Sequence, residues 1–457
     1  MNIASKALQI PLCDRCLGRL FARSGFGLDN SERGRSIRVT MALIAENPLG
    51  GDIKPEPDVA SRLPVHHKSN QGKSESDLSE DISEETSWNI GDFPSMERTW
   101  TEVRHGDDIC YLCENLFENL DTFVSLIREE AKEYEFNTFQ VGKSLDPSTI
   151  EREQEVITRV QPRSAEPLKE EINREVGKRL QMIWKDPEVD RSDPDLTFIL
   201  DPLFKEVKSQ VKTLFIKARY RKLKRGIPQT RWPCRNCHGK GCPECDFTGR
   251  RYEVSVEEII GEPFKKYSRA DDYKLHGMGR EDVDVRMLGN GRPFVLEITR
   301  PRVRDIDLDR IADEINNSNK QIVGIMEPEW TNRKDIAPLK EAKKKKRYRC
   351  QISFEQPVDE KKLKYGISLL TRGPIHQRTP ERVSHRRADK VRERKVHEAK
   401  FRVLDDLSVE VEIMADGGLY IKELLHGDRG RTDPSLASAL GAEVQVESLD
   451  VLDVLEE

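Results

Sequence analysis

Eight of the nine cysteines fall in four Cys-x-x-Cys pairs, the spacing of a turn that presents two thiolates to one metal ion. Two of these pairs, Cys234 with Cys237 and Cys242 with Cys245, lie within twelve residues, and glycines at 239, 241 and 249 permit the tight turns. The run predicts a tetrahedral four-thiolate zinc knuckle. Because four protein ligands leave no position for water, the zinc would be structural.

The other two pairs are Cys13 with Cys16 and Cys110 with Cys113, which lie more than ninety residues apart. Residues 48–96 between them are polar and acidic with few large apolar side chains, so we predict a disordered insertion there. The two pairs could then share a second zinc ion, since the cost of closing a loop grows only logarithmically with its length. Two unrelated pairs of buried thiols are the alternative.

Charged residues are densest in 279–294, which reads Gly-Arg-Glu-Asp-Val-Asp-Val-Arg-Met-Leu-Gly-Asn-Gly-Arg-Pro-Phe. It contains two carboxylates that could act as nucleophiles, Asp282 and Asp284. Two residues apart on a strand, they would face the same side, so periodicity cannot separate them. The alternative is a β-hairpin with a tight turn at Asn290-Gly291 and its charged side chains in solvent. Spacing alone does not decide between the two interpretations.

The tripeptide before Asp282 resembles the active-site motif of pseudouridine synthases. Segments 282–294, 377–389 and 427–435 are similar to one branch, the THUMP-containing tRNA pseudouridine synthases of archaea and eukaryotes, family ten. The resemblance covers the C-terminal half nearly throughout and extends to the cysteine pairs and to segments 219–222 and 227–232. It implies an isomerase that converts uridine to pseudouridine in tRNA.

The resemblance also implies roles for individual residues. Asp282 matches the family's nucleophile, and Asp284 would then hold nearby basic residues in place. Tyr348 matches a tyrosine that stacks on the target base, and Tyr420 and Lys422 lie in a Gly-x-Tyr-Ile-Lys motif that lines the substrate pocket. Lys422 would sit near Asp282 and keep it ionised. Arg280 completes the set of substrate-binding residues. Without the resemblance, either tyrosine would more often be a core residue.

The implied reaction breaks the N1–C1′ bond of uridine, turns the uracil and joins C5 to C1′. Nothing is oxidised or hydrolysed, so no redox cofactor, nucleotide or catalytic metal is required. The family's substrate is tRNA, modified at uridine 55 and, in archaeal members, also at 54, and the target must be flipped out. Four arginines are predicted to contact RNA phosphates, namely Arg378, Arg382, Arg386 and Arg387. The alternative for this basic segment is a solvated helix.

Composition describes a highly charged chain of 457 residues with 36% hydrophobic and 35% charged residues and a net charge of −5. Basic residues nevertheless gather at 212–225, 343–349 and 378–400, and acidic ones at 74–87 and 443–457. Apolar runs of the roughly 20 residues needed to cross a bilayer do not occur in the sequence. Because a secretory signal is also missing, we expect a cytoplasmic protein with no membrane partner, and we expect a monomer.

The helices and strands that must position these residues can be predicted from the sequence, and together they indicate an α+β fold. Helices are expected at 17–26, 37–46, 116–134, 167–184, 308–317 and 359–370, and strands at 136–141, 196–200, 207–223, 283–287, 294–298, 347–354, 400–415 and 418–424. We divide the chain into a THUMP-containing, zinc-stapled tRNA-binding domain (1–230, core about 116–230), a zinc knuckle (231–252) and a catalytic domain (253–457). The catalytic domain would use a mixed, mainly antiparallel sheet with flanking helices.

Two other functions compete with this interpretation. Another THUMP enzyme, a methyltransferase or thiouridine synthase, would need a nucleotide-binding loop between a strand and a helix. The nearest candidate, residues 288–291, is followed by Arg-Pro-Phe and a strand pattern. The second rival is a non-catalytic zinc protein that binds RNA. Replacing Asp282 distinguishes an enzyme from a protein that only binds RNA. An enzyme would lose pseudouridine formation and keep tRNA binding, whereas a pure RNA-binding protein has no activity to lose.

Overall fold

The computed structural model of the chain describes residues 3–25, 27–46, 109–202 and 205–455. These residues form two units, the first made of 1–131 and 137–209 and the second of 132–136 and 210–457. The insertion predicted at 48–96 lies outside the described residues. No helix within the described ranges combines the length and the apolar character that a membrane crossing needs.

Within the described residues, the first unit combines six helices with a four-stranded sheet. The helices are α1 (Ile3–Ala7), α2 (Asp14–Arg19), α3 (Asn30–Glu46), α4 (Leu120–Ala131, after a 3₁₀ turn at Leu116–Asn119), α5 (Pro147–Val160) and α6 (Leu168–Ile183). The strands are β1 (Thr138–Lys143), β2 (Glu188–Val189), β3 (Leu196–Asp201) and β4 (Glu206–Val211), in the order β2-β1-β3-β4.

The apolar period of four residues explains why α6 forms where the sequence predicts a helix. Leu168, Ile172, Val176 and Leu180 repeat on one face and are all fully buried. In β3, alternate residues are buried instead, as expected for a strand with one face on the core.

The second unit is built on one large sheet. Its strands are β5 (Leu214–Lys222), β6 (Asp272–Gly277), β7 (Arg286–Thr299), β8 (Val323–Thr331), β9 (Lys346–Ser353), β10 (Pro374–Arg378), β11 (Val391–Val403), β12 (Ser408–Ala415), β13 (Thr432–Asp433) and β14 (Gln445–Val454). The helices are α7 (Val256–Ser268), α8 (Leu308–Ser318), α9 (Ile336–Glu341), α10 (Glu360–Arg372), α11 (Ile421–His426) and α12 (Leu436–Leu440), with short 3₁₀ turns at Pro243–Cys245, Arg333–Asp335, Glu381–Arg386 and Gly427–Gly430.

Strand β14, late in the chain, lies in the middle of this sheet. The order is β13-β10-β11-β12-β9-β14-β7-β5-β8, with β6 paired to β7. β14 runs parallel to β7 and antiparallel to β9, so that Val451 has both Met287 and Tyr348 as register partners. The other described pairings of this sheet are antiparallel. β14 therefore connects the strand that follows the Asp282 segment with the strand that carries Tyr348.

The two units part at about residue 210, whereas the division predicted from the sequence is at residue 230. The strand predicted at 207–223 is two strands, because the chain leaves the strand conformation after Val211 and resumes it at Leu214. β4 belongs to the first sheet, whereas β5 pairs with β7 and β8 of the second. Alternating burial defines the faces of a strand but does not identify the sheet that it joins.

Two local predictions around the site are wrong, and so is the alternative hairpin. Residues 418–424 are not a strand, because α11 begins at Ile421 and buries Ile421, Leu424 and Leu425 on one helical face. Asn290-Gly291 is not a hairpin turn, since β7 continues through it with a register shift against β5. Gly289 and Gly291 have φ values of 55° and 73°, which accommodates the bulge. Residues 283–285 form a turn before β7 and not a strand.

Candidate active site

A cavity of about 720 Å³ opens in the second unit, beside the turn that leads from β6 into β7. Its wall includes residues 279–282 of that turn, the start of β9 and residues 417–422 before and in α11. Seven of the residues predicted for the substrate or RNA line it, namely Arg280, Asp282, Tyr348, Arg382, Arg387, Tyr420 and Lys422. The fold thus gathers side chains that are far apart in the sequence.

Asp282 lies in the turn with its carboxylate at the cavity wall. Its Oδ2 atom is 2.9 Å from Nη1 of Arg382. Nε of the same guanidinium donates to Oε1 of Glu423 at 2.6 Å, and Glu423 is almost fully buried. Burial disfavours the charge of Arg382, but Glu423 and Asp282 together raise its pKa above the ordinary value. A permanent cation is therefore fixed beside Asp282.

A buried lysine holds the backbone of this turn. Nζ of Lys222, at the end of β5, donates to the carbonyl oxygens of Ile227, Asp282 and Val283 at 2.8, 3.0 and 3.2 Å. Desolvation lowers the pKa of Lys222 to about 8, against the opposing charge of Glu281. Three bonds from one ammonium group fix the main chain at Asp282, which limits the directions that its carboxylate can take.

Glu281 supplies the buried negative charge of the same region. Its Oε2 accepts from Nε of Arg292 at 2.8 Å, and its two oxygens each lie 2.9 Å from the Tyr220 hydroxyl. The side-chain amide of Gln229 donates to that hydroxyl and to the carbonyl of Gly279, at 2.8 and 3.0 Å. Although burial disfavours the charge of Arg292, Glu281 raises its pKa above the ordinary value. This network holds the residues on the N-terminal side of Asp282.

Two tyrosines line the cavity from different elements. Tyr348, on β9, is buried, and desolvation raises its pKa to about 12. Tyr420 immediately precedes α11, and its backbone N–H and C=O bond to the side-chain amide of Gln377 at 2.8 and 3.0 Å. The guanidinium carbons of Arg382 and Arg387 lie 5.6 and 5.9 Å from the centre of the Tyr420 ring. Gln377 thus positions Tyr420, and the two arginines pack against its ring.

Lys422 contacts a different carboxylate from the one predicted. Its Nζ lies 2.6 Å from Oδ2 of Asp284, while Asp282 is paired with Arg382. The prediction placed both aspartates on one strand face, whereas the turn at 282–285 separates their side chains. Burial would raise the pKa of Asp284, but its hydrogen bond to Lys422 lowers it below the ordinary value. Asp284 therefore holds a basic residue in place, as predicted.

Arg280 connects the cavity wall with an aromatic cluster. Its guanidinium carbon lies 5.1 Å from the centre of the Trp232 ring, and Trp232 packs edge-on against Tyr252 with ring centres 5.6 Å apart. Arg251 lies over both rings. Trp232 and Tyr252 flank the cysteine-rich segment in sequence, so the folding of that segment helps to position Arg280.

The four arginines predicted to bind phosphates have different surroundings. Arg378 is half-exposed and forms an ion pair with Asp389 at 2.5 Å. Arg382 contacts Asp282 and Glu423 inside the site, so its predicted contact with RNA phosphate does not describe its environment in the structure. Arg387 lies at the cavity beside Tyr420. The side chain of Arg386 is outside the described part of the chain. The segment is a short 3₁₀ turn followed by β11 and not a solvated helix.

Both cysteine quartets assemble as predicted. In the first unit, the sulfur atoms of Cys13, Cys16, Cys110 and Cys113 lie within 4.8 Å of one another, with Cys13 and Cys113 3.7 Å apart. A tetrahedral zinc ion with bonds of about 2.3 Å requires sulfur atoms about 3.8 Å apart, so the quartet fits one metal ion. The alternative of two unrelated thiol pairs is therefore wrong.

The second quartet comprises Cys234, Cys237, Cys242 and Cys245 and also lies within 4.8 Å. Three of its sulfur–sulfur distances are 3.7, 3.8 and 3.9 Å. Backbone N–H groups of residues 241, 242 and 249 donate to its sulfur atoms at 3.2 to 3.3 Å. Such bonds favour thiolates, the form that binds a metal. Positive φ at Gly239, Gly241 and Gly249 permits these turns.

Comparison with known proteins assigns both halves of the chain to one family. The family described as "Pus10, C-terminal" matches residues 215–455, and "Pus10 THUMP domain, archaeal" matches residues 123–201. The tRNA pseudouridine synthase Pus10 of Methanopyrus kandleri is 39% identical over 97% of this chain and 96% of its own. Those of Methanothrix thermoacetophila and Methanocaldococcus jannaschii are each 40% identical, over 99% and 97% of this chain and 94% and 92% of their own. The chain belongs to the Pus10 family of tRNA pseudouridine synthases.

Membership of the Pus10 family makes this chain an isomerase and excludes the two rival classes, another THUMP enzyme and a pure RNA-binding protein. The archaeal THUMP model matches residues 123–201, which lie in the first unit.

Sequence reasoning missed four residues that shape this Pus10 site: Lys222, Glu281, Gln377 and Glu423. Lys222 and Glu281 lie within segments that carried the family resemblance, and Gln377 begins another. A charged residue inside an apolar strand pattern, such as Lys222 after Tyr220, is a usable signal because charges are rarely buried without a partner. Glu423 gives no such signal, since its position on α11 is defined only by tertiary packing.

Proposed function

We propose that this chain isomerises uridine 55, and also uridine 54, in the TΨC arm of tRNA to pseudouridine, with Asp282 as the nucleophile. The single observation that supports this most is the placement of Asp282. Its carboxylate lines the cavity and forms an ion pair with Arg382, and its backbone carbonyl accepts a hydrogen bond from Lys222.

The proposed chemistry follows from these contacts. The Asp282 carboxylate acts on the nucleoside, by attack or by assisting departure of the base, while the N1–C1′ bond breaks. Arg382 keeps the carboxylate ionised and oriented, because a cation within about 4–6 Å favours the charged form. The uracil turns, C5 bonds to C1′, and one proton leaves C5 as one reaches N1. The product is an isomer of the substrate.

The cavity is suited to retaining the detached uracil. Tyr348 and Tyr420 provide aromatic walls, and Val285, Leu449 and Val451 provide apolar ones. At about 720 Å³ the cavity exceeds one base, which leaves room for rotation and for part of the flanking backbone. Arg387, which also lines the cavity, would contact a phosphate of the flipped nucleotide.

The first unit would bind the tRNA through its THUMP domain and recognise it by shape, as proteins commonly do with structured RNA. We place the enzyme in the cytoplasm, as a monomer, where reducing conditions keep its thiols available for metal.

Each cysteine quartet is proposed to hold one structural zinc ion. We expect the purified chain to contain two zinc ions by elemental analysis, because each quartet offers four thiolates at tetrahedral spacing. Replacing Cys242 and Cys245 by serine should reduce the content to one. The matched control is Cys350→Ser, a buried cysteine outside both quartets, which should leave two. A content of two zinc ions in the Cys242/Cys245 double variant would contradict the assignment.

The substrate positions can be tested with defined tRNA transcripts. The purified enzyme should form pseudouridine at 54 and 55 in a transcript that has uridine at both positions, mapped by mass spectrometry of nuclease fragments. Transcripts with cytidine at 54 or at 55 should each retain one product, because a single flipped-base site acts on the two positions in separate events.

A transcript with cytidine at both positions is the control and should give no product in this arm. Pseudouridine found only elsewhere in the tRNA would contradict the proposed target, although it would leave the family assignment intact.

A further inference from the structure

Lys346 is a cavity residue to which the proposed chemistry gives no role. It begins β9 two residues before Tyr348, so both side chains point to the same face of that strand. Both line the cavity. On either side, the register neighbours of Lys346 are Ala415 of β12 and Val454 of β14, neither of which is charged.

The amine of Lys346 lies close to the segment that carries Asp282. Gly279 has no Cβ atom. From the position that a Cβ would take there, Nζ of Lys346 lies 3.2 Å away and Nη1 of Arg292 lies 3.3 Å away. Gly279 has a φ of 75°, and the lack of a Cβ leaves this space to the Lys346 amine and the Arg292 guanidinium. Within the described residues, Lys346 forms no ion pair with a carboxylate within 4.0 Å, whereas Glu281 is bonded to Arg292 and Tyr220.

The charges around Lys346 favour its neutral form. Burial and the positive charge of Arg292 lower the pKa of Lys346 to about 7, and Glu281 opposes them only in part. The other charged groups that line the cavity are Arg280, Asp282, Lys340, Glu341, Lys343, Arg382, Arg387, Arg394 and Lys422. Cations are the majority of this set. A neutral amine is therefore available near physiological pH, as a general base requires.

We propose that the amine of Lys346 removes the C5 proton after C5 has bonded to C1′, an inference that rests on the proposed function. The C5–H electron pair returns to the ring and restores the C5–C6 double bond, while Nζ becomes an ammonium group. That proton then passes to solvent, and N1 takes one from solvent, so the overall change remains an isomerisation. Tyr348 is unsuited to this step, because its raised pKa keeps its hydroxyl protonated.

The test measures single-turnover pseudouridine formation with Lys346→Met and Lys346→Arg at saturating enzyme. Both variants should be slower by about 10² to 10⁴-fold, the usual contribution of a general base, because methionine has no basic group and arginine stays protonated. tRNA affinity should be unchanged. Substrate deuterated at C5 of uridine should react more slowly than unlabelled substrate in the variants, since proton removal then limits the rate.

The pH profile gives a second readout. The wild-type rate should rise with pH to a plateau above about pH 7, because the neutral amine is the active form. This rise should be absent in Lys346→Met. Lys345→Met, an exposed neighbour that does not line the cavity, is the control and should keep the wild-type rate and profile.

Three results would overturn the proposal: activity retained by Lys346→Arg, a wild-type rate that falls as pH rises through 7, or no isotope effect in the variants. The first two would instead assign Lys346 as a cation that binds the uracil. None of them bears on Asp282, whose exchange tests the proposed function separately.

Discussion

Replacing Asp282 by asparagine is expected to reduce pseudouridine formation by about 10⁴-fold or more, the scale of loss on removing a catalytic nucleophile. Asparagine has nearly the same shape and can still accept a hydrogen bond from Arg382, which lies 2.9 Å from the carboxylate. The fold should therefore persist, and only the charge and nucleophilicity are lost. The measurement is single-turnover conversion of a tRNA transcript, with tRNA affinity measured in parallel and expected to be unchanged.

The matched comparison is Asp284→Asn, two residues along the same turn. Asp284 is more exposed and pairs with Lys422 at 2.6 Å, so its exchange should cost activity through the position of that lysine, and by much less. If Asp284→Asn were the inactive variant and Asp282→Asn the active one, the nucleophile would have to be reassigned.

Replacing Glu281 by alanine is expected to lower the free energy of unfolding by about 3–5 kcal/mol, the usual result of removing one member of a buried charge pair. Glu281 faces two cations whose side chains are also buried, Arg292 at 2.8 Å and Lys222 at 3.9 Å. Without it, both charges would remain in the interior with no carboxylate partner. The measurement is urea denaturation of the zinc-loaded protein followed by far-UV circular dichroism.

Glu329→Ala is the control for this effect. Glu329 pairs with Lys217 on the surface, where both side chains are more than half exposed, so the loss should be at most about 1 kcal/mol. Glu281→Gln should fall between the two, since it keeps the shape and a hydrogen bond to Tyr220. A Glu281→Ala variant as stable as the Glu329 control would show that the buried network contributes little to stability.

The features that sequence predicted correctly are local. The face of α6 follows from a repeat within one helix, and each cysteine pair is set by two intervening residues. The meeting of the two pairs of the first quartet is a tertiary contact, but each pair is itself a local pattern. These patterns are encoded within a few residues, so no knowledge of the tertiary fold is needed to recognise them.

The errors concern short segments around the site and the partners of particular residues and strands. Lys422 is the predicted partner of Asp282, but the cation paired with Asp282 is Arg382, which lies in a 3₁₀ turn after β10. β5 is predicted in the first domain but pairs within the second sheet, because its alternation is the same whichever sheet it joins. The alternative hairpin places a tight turn at Asn290-Gly291, because glycine permits positive φ equally in a turn and in a bulge. In each case the sequence limits the local conformation, and packing against distant strands decides the outcome.

The central position of β14 in the sheet has a consequence for the folding of the chain during its synthesis. The Asp282 turn leads into β7, on one side of β14, and Lys346 and Tyr348 are carried by β9, on the other. During translation the two halves of the pocket therefore emerge from the ribosome long before the strand that joins them. A nascent chain that stalls before residue 445 would present two open sheet edges and no assembled catalytic centre, which exposes such fragments to aggregation and proteolytic quality control.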